Sequence, residues 1–86
     1  MPDYEVKWTE TTARFLEKME SVDADRILEK MKLVSKNPFH YVKRLRGVPL
    51  YSLRTGKYRV IMSIEREKLV ILVVDVGNRK NVYDDL

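Results

Sequence analysis

Residues 50–74 read LYSLRTGKYRVIMSIEREKLVILVV and contain three strand candidates separated by two turn signals. The first candidate covers residues 50–54, and a short turn at residues 55–57 leads into a second over residues 58–65. A second polar turn leads into a third candidate over residues 68–76, whose centre is continuously apolar. Strands joined by turns this short pair antiparallel, so the stretch predicts a meander with its apolar third strand inside the sheet.

An alternating strand and two helices are expected before this meander. Residues 4–8 alternate between apolar and polar side chains, which is the period of a strand with one apolar face. A helix is expected to start after Thr9, and apolar residues then recur at three- and four-residue spacing. A short polar turn at residues 20–22 divides this pattern into an αα-hairpin, with Asp23 or Asp25 as the expected cap of the second helix.

Proline and glycine set the remaining boundaries. Asn37 and Pro38 are expected to end the second helix, because proline disfavours helical geometry in the residue before it. Residues 38–49 hold two prolines and a glycine and are expected to be irregular, while Gly77 and Asn78 are expected to end the last strand. The predicted order is β-α-α-β-β-β. This order predicts an α+β fold in which an antiparallel sheet, made of the meander and the N-terminal strand, packs on the αα-hairpin.

Length and composition bound the class of protein. The 86 residues suit one domain, 1–86, which ends in a short tail over residues 82–86. The absence of cysteine excludes a disulfide scaffold, a cysteine-based zinc site and a thiol nucleophile. No apolar run is long enough to span a membrane, and the first residues do not resemble a secretory signal, so a cytoplasmic protein is expected.

The positive charges are concentrated in one segment. The net charge is +4, but residues 30–64 carry nine bases and no acid, while residues 1–29 carry eight acids and four bases. A solvated surface usually mixes the two signs. A segment that tolerates this self-repulsion indicates binding to a polyanion, most often through phosphate groups.

Strand alternation brings part of this charge together. If the first two meander strands pair as a hairpin, Arg54 and Arg59 lie near each other on the sheet face opposite the helices, where Arg79 could also reach. Tyr83 in the tail either anchors the terminus by packing or stacks on a base and transfers a proton beside these cations. His40, the only histidine, falls in the irregular connection and is assigned to a turn or the surface.

These residues make the chain resemble the RelE/ParE toxin superfamily. The resemblance is carried by RLRG at residues 44–47, LYSLR at 50–54, GKYRVI at 56–61, VGNR at 76–79 and the tyrosine at 83. Each motif is short, but the ordered set at these spacings is specific, and the β-α-α front half agrees in pattern and length. The ending GNRKNVY resembles the RelE branch more than the gyrase-directed ParE branch.

The resemblance implies a toxin that acts as a ribosome-dependent mRNA interferase. Such enzymes cut mRNA in the ribosomal A site, where the 2′-hydroxyl attacks the adjacent phosphate. The implied catalytic residues are Arg54, Arg59, Arg79 and Tyr83, and the implied RNA-binding residues are Lys43, Arg44, Arg46, Ser52, Lys57 and Lys80. No cofactor and no metal are implied. The implied partners are the ribosome, mRNA and an acidic antitoxin in a hetero-oligomer, with no membrane involved.

One departure from the family concerns proton transfer. The family carries two lysines on the strand where this chain has Ser52 and Arg54. An arginine preserves charge stabilisation but stays protonated, so we expect reduced or altered activity, with Lys57 as the candidate to compensate. Two alternatives therefore stay open: a gyrase-directed toxin without nuclease activity, and a detoxified module that binds RNA or antitoxin.

Overall fold

The computed structural model describes residues 3–78. Residues 3–78 form five strands and three helices, and the predicted β-α-α front half and C-terminal meander are both present. In chain order they are β1 (Glu5–Trp8), α1 (Glu10–Lys18), α2 (Ser21–Lys36), α3 (Pro38–Tyr41), β2 (Lys43–Arg44), β3 (Tyr51–Thr55), β4 (Tyr58–Glu65) and β5 (Val70–Asn78). No helix within residues 3–78 is both long and apolar enough to cross a membrane.

The strands form one mixed sheet in the order β1-β5-β4-β3-β2. The α+β class and the antiparallel meander of β3, β4 and β5 are confirmed. The N-terminal strand joins this meander in the opposite sense from that expected, because β1 pairs parallel to β5 with Val6 opposite Ile71. The two helices between β1 and the meander allow this, since parallel strands need a long crossover connection. The last strand thus lies inside the sheet, as its continuous apolar run predicted.

The helix boundaries follow local capping chemistry. The prediction that a helix starts after Thr9 is confirmed, because the Thr9 side chain accepts a hydrogen bond from the Thr12 backbone N–H. The prediction that Asp23 or Asp25 caps α2 is wrong, because the cap is Glu20 and Asp23 lies in the first turn. A carboxylate there is still favourable, since the first turn is the positive end of the helix dipole. The prediction that α2 ends at Asn37 and Pro38 is confirmed.

Two predictions about irregular structure are wrong. The segment expected to be irregular contains α3 and the two-residue strand β2, which pairs antiparallel with β3. Proline suits the first turn of a helix, where its missing N–H needs no partner, so Pro38 both ends α2 and begins α3. Strand β5 runs through Gly77 and Asn78, because β4 supplies a partner strand that outweighs their low strand propensity.

The core lies between α2 and the helix-facing side of the sheet. Its nine buried residues are Ile27, Met31, Val34, Leu53, Val60, Met62, Ile71, Val73 and Val76. The pairing of β4 with β5 shifts register between Ile61 and Met62, which lie opposite Asp75 and Val73. The extra β5 residue between these partners, Val74, keeps both Val73 and Val76 on the core side.

Removing the Thr9 side chain tests the first helix cap. We expect Thr9→Ala to lower the free energy of unfolding by about 1 kcal/mol, because the Thr12 N–H loses its acceptor at 3.3 Å. The measurement is urea denaturation. Thr11→Ala is the matched control, since Thr11 is exposed in the same turn, and equal effects of the two variants would contradict the cap.

Candidate nucleic-acid interface

A cleft of about 470 Å³ is lined by six of the nine basic residues of the segment 30–64. It is bordered by α2, α3, β2, the loop after β2, β3 and β4, and none of the described residues that line it is acidic. Its six cations, which define it as the cationic cleft, are Lys30, Lys43, Arg44, Arg46, Arg54 and Arg59. The volume lies within the range of small-ligand pockets, about 300–1,000 Å³. Concave walls of one sign concentrate the field and attract phosphate.

Arg54 and Arg59 are brought together by the hairpin of β3 and β4. They occupy directly opposite positions in the antiparallel register, as strand alternation predicted. Opposite residues have Cβ atoms about 4.5–5.5 Å apart, so one phosphate can contact both side chains. On the other side of β4, Arg59 lies opposite Gly77, which has no side chain to crowd it. Arg54 is exposed and Arg59 is half-buried, so the two guanidinium groups approach the cleft from different depths.

Ser52 lies in the same cleft beside a lysine from another strand. Ser52 is buried, with 9% of its surface exposed, and Lys43 of β2 lies directly opposite it in the β2–β3 register. The lysine at this register position therefore comes from the neighbouring strand β2 and lies beside the serine of β3. The sequence alone does not place Lys43 beside Ser52, because β2 becomes visible only when it pairs with β3.

The structure does not bring Lys57 into the cleft. Its Nζ lies 4.0 Å from a carboxylate oxygen of Asp23 and 5.6 Å from the ring centroid of Tyr58. Both contacts hold the side chain on the helix side of the hairpin, so Lys43, and not Lys57, is the lysine that lies beside Ser52. Three other predicted site residues, Arg79, Lys80 and Tyr83, lie outside the described residues.

Five residues outside the predicted site also line the cleft: Lys30, His40, Tyr41, Leu45 and Leu53. His40 is exposed, which agrees with its assignment to the surface, and it lines the cleft, where its ring meets Tyr41 edge-on with centroids 4.8 Å apart. Pro38 could have indicated the position of His40, since a proline directly after an N-cap residue indicates the start of a helix. A helix that begins at Pro38 determines where residue 40 lies.

A second concavity is apolar and lies between β1 and α2. This apolar groove, of about 460 Å³, has Tyr4, Val6, Trp8, Leu28 and Met31 in its lining. Asp25, Glu29 and Lys32 also line it. Strand β1 is at the edge of the sheet, and Leu28 is 40% exposed. An apolar surface beside an open strand edge suits a protein partner better than a nucleic acid.

Comparison with protein families gives one match over nearly the whole chain. Residues 6–83 match the family model of the ParE toxin of type II toxin–antitoxin systems, parDE. No curated protein matches the sequence.

Several solved structures are similar to this fold along their whole length. The toxin–antitoxin complex RelBE2 from Mycobacterium tuberculosis contains a chain with a TM-score of 0.83 and 27% identity, covering 91% of this chain and 100% of its own length. An archaeal RelE–RelB complex from Pyrococcus horikoshii gives 0.81 and 26%, covering 93% and 99%. The free RelE toxin of E. coli, in a double arginine-to-alanine variant, gives 0.78 and 25%, covering 96% and 90%.

Proposed function

The chain belongs to the ParE toxin family of type II toxin–antitoxin systems, within the RelE/ParE superfamily, and we propose that it is a ribosome-dependent mRNA interferase. The observation that carries this proposal is the cationic cleft, with Arg54 opposite Arg59 and no acid among its described lining residues. Residues 1–86 would form a single toxin domain, and an activity on ribosomes would locate it in the cytoplasm.

The proposed chemistry is cleavage of the RNA strand by its own 2′-hydroxyl. The O2′ atom attacks the adjacent phosphorus, the bond from phosphorus to O5′ breaks, and the products are a cyclic phosphate and a 5′-hydroxyl. Arg54 and Arg59 would neutralise the charge that develops on the phosphate oxygens, which is the largest contribution in phosphoryl chemistry. Arg79 would assist them, and Tyr83 would act near the 2′-hydroxyl as base or stacking partner.

The remaining cations would position the RNA. Lys43, Arg44 and Arg46 lie along the side of the cleft formed by β2 and its following loop, where they can contact the backbone of mRNA or ribosomal RNA. Such contacts hold the nucleic acid in register but carry no base information. The scissile phosphate must be aligned by another structure, and the ribosome would provide that alignment.

A gyrase-directed toxin is the second candidate, because the matching family model is that of the ParE toxin. Two measurements separate the candidates: mapping of cuts in mRNA on stalled ribosomes, and DNA supercoiling by gyrase with the same purified protein. The interferase predicts A-site cuts and undisturbed supercoiling. Inhibited supercoiling with intact mRNA would establish the second candidate, and harmless overexpression with neither effect would indicate a detoxified binding module.

An antitoxin is the proposed protein partner, as in the RelBE2 and archaeal RelE–RelB complexes. An acidic segment would cover the cationic cleft, and apolar side chains would occupy the apolar groove. Binding to six clustered cations is screened by salt, whereas apolar burial is not.

The salt dependence of antitoxin binding shows how much of the affinity comes from the cationic cleft and how much from the apolar groove. We expect the dissociation constant to rise by about tenfold or more between low salt and about 0.5 M salt, because charge attraction at the cationic cleft is screened. Isothermal titration calorimetry gives the constants. The double variant Arg44→Ala, Arg46→Ala is the control and is expected to flatten this dependence. An affinity that does not change with salt would assign the binding to the apolar groove.

A further inference from the structure

We propose that His40 is a catalytic residue of the cationic cleft, the base that accepts the proton of the 2′-hydroxyl. This inference rests on the proposed RNA cleavage and adds a residue to it. Its starting observation is that the only histidine of the chain lines the same cleft as Arg54 and Arg59.

The position of His40 is set by the short helix α3. Pro38 at the start of this helix is buried, and the His40 backbone N–H donates to the Asn37 carbonyl oxygen at 3.2 Å. The imidazole meets the Tyr41 ring edge-on at an interplanar angle of 85°. The side chain is exposed, so a substrate in the cleft can reach it.

The other described groups of the cleft are poor proton acceptors near neutral pH. They are the six cations of the cleft, whose arginine and lysine side chains are hydrogen-bond donors without an acceptor, and the hydroxyl groups of Ser52 and Tyr41. Histidine is the side-chain type that most often serves as a general base, and His40 is the one histidine among the described residues of the cleft.

The proton balance of the step is complete with His40 as base. As the O2′–phosphorus bond forms, the 2′-hydroxyl proton passes to an imidazole nitrogen. The O5′ oxygen leaves as the phosphorus–O5′ bond breaks and takes a proton from water, and the imidazolium then returns its proton to solvent. With His40 as the base, only one of the two roles proposed for Tyr83 is kept, that of stacking partner.

The pH dependence of cleavage tests this assignment. Wild-type cleavage of mRNA on stalled ribosomes is expected to rise between about pH 5 and pH 8, as an imidazole loses its proton. His40→Gln is expected to cut about 10²–10⁴-fold more slowly and to lack that rise. Phe39→Leu is the matched control, because Phe39 lies on the same helix but does not line the cleft. A His40→Gln variant with the wild-type rate or the wild-type pH profile overturns the role of His40 and leaves the proposed function intact.

A second measurement does not depend on cleavage. Because the chain has one histidine, its imidazole proton gives an unambiguous NMR signal, which can be followed with a dinucleotide carrying a 2′-O-methyl group. Saturation is expected to shift this signal and to move its titration to higher pH, since a nearby phosphate favours imidazolium. An unchanged signal overturns the inference. A shifted signal with a wild-type protein that cuts no mRNA overturns both the catalytic role and the proposed function.

Discussion

Arg59→Ala is expected to cut ribosome-bound mRNA about 10²–10³-fold more slowly than the wild type, a loss typical of removing one group that stabilises transition-state charge. Arg59 is half-buried on the central strand β4 and directly opposite Arg54, so no other side chain of that strand can take its place. Growth arrest on expression should disappear in parallel. The cuts are counted by primer extension on messages from stalled ribosomes.

Two further variants make this result specific. Arg59→Lys keeps the charge but loses the planar fork that contacts two phosphate oxygens, and intermediate activity is expected. Arg14→Ala removes an exposed arginine of α1 that pairs with Glu10 outside the cleft, and full activity is expected. Folding of each variant is checked by circular dichroism. A folded Arg59→Ala protein that cuts at the wild-type rate would rule out a catalytic role for this residue.

Leu53→Ala is expected to lower the free energy of unfolding by about 2–5 kcal/mol. Leu53 is 1% exposed and lies in the core between the two cleft residues of its strand, Ser52 and Arg54. Its loss leaves a cavity directly beneath them. Domains of this kind are stable by about 5–15 kcal/mol, so the variant is close to the limit of folding.

Urea denaturation of Leu53→Ala gives the size of this effect. Val48→Ala is the control, because Val48 is 40% exposed in the loop after β2 and a change within about 0.5 kcal/mol is expected. A loss for Leu53→Ala no larger than for Val48→Ala would show that the core does not depend on the strand that positions the cleft.

Local signals were sufficient for the meander. The strand Tyr58–Glu65 has the predicted bounds, because Gly56, with φ of +60°, allows the tight turn before it and polar residues form the turn after it. The opposition of Arg54 and Arg59 followed from the same turn, since a hairpin's register is set by its loop. The part of the cleft formed by one hairpin was therefore predictable from the sequence.

The features that the sequence did not predict depend on contacts between residues that are far apart in the chain. Strand β2 has two residues and no periodicity of its own, so only its pairing with β3 reveals Lys43 beside Ser52. Lys30 and His40 come from α2 and α3, and their place depends on how these helices pack on the sheet. The parallel sense of β1 also depends on a partner more than sixty residues away, as in the pairing of Val6 with Ile71. Of these features, only the place of His40 has a local sequence signal, the proline that begins α3.

Because β5 lies between β1 and β4, the first strand to be synthesised cannot join the sheet until the last strand has been made. On the ribosome, β1 and the helices emerge first, but β1 has no neighbour in the sheet until residues 70–73 have been made. Contacts at this sequence separation form slowly, because a long loop must close before any of them forms. The nascent chain thus carries an unfinished sheet through most of translation, because the strand that pairs with β1 is the last one made within residues 3–78.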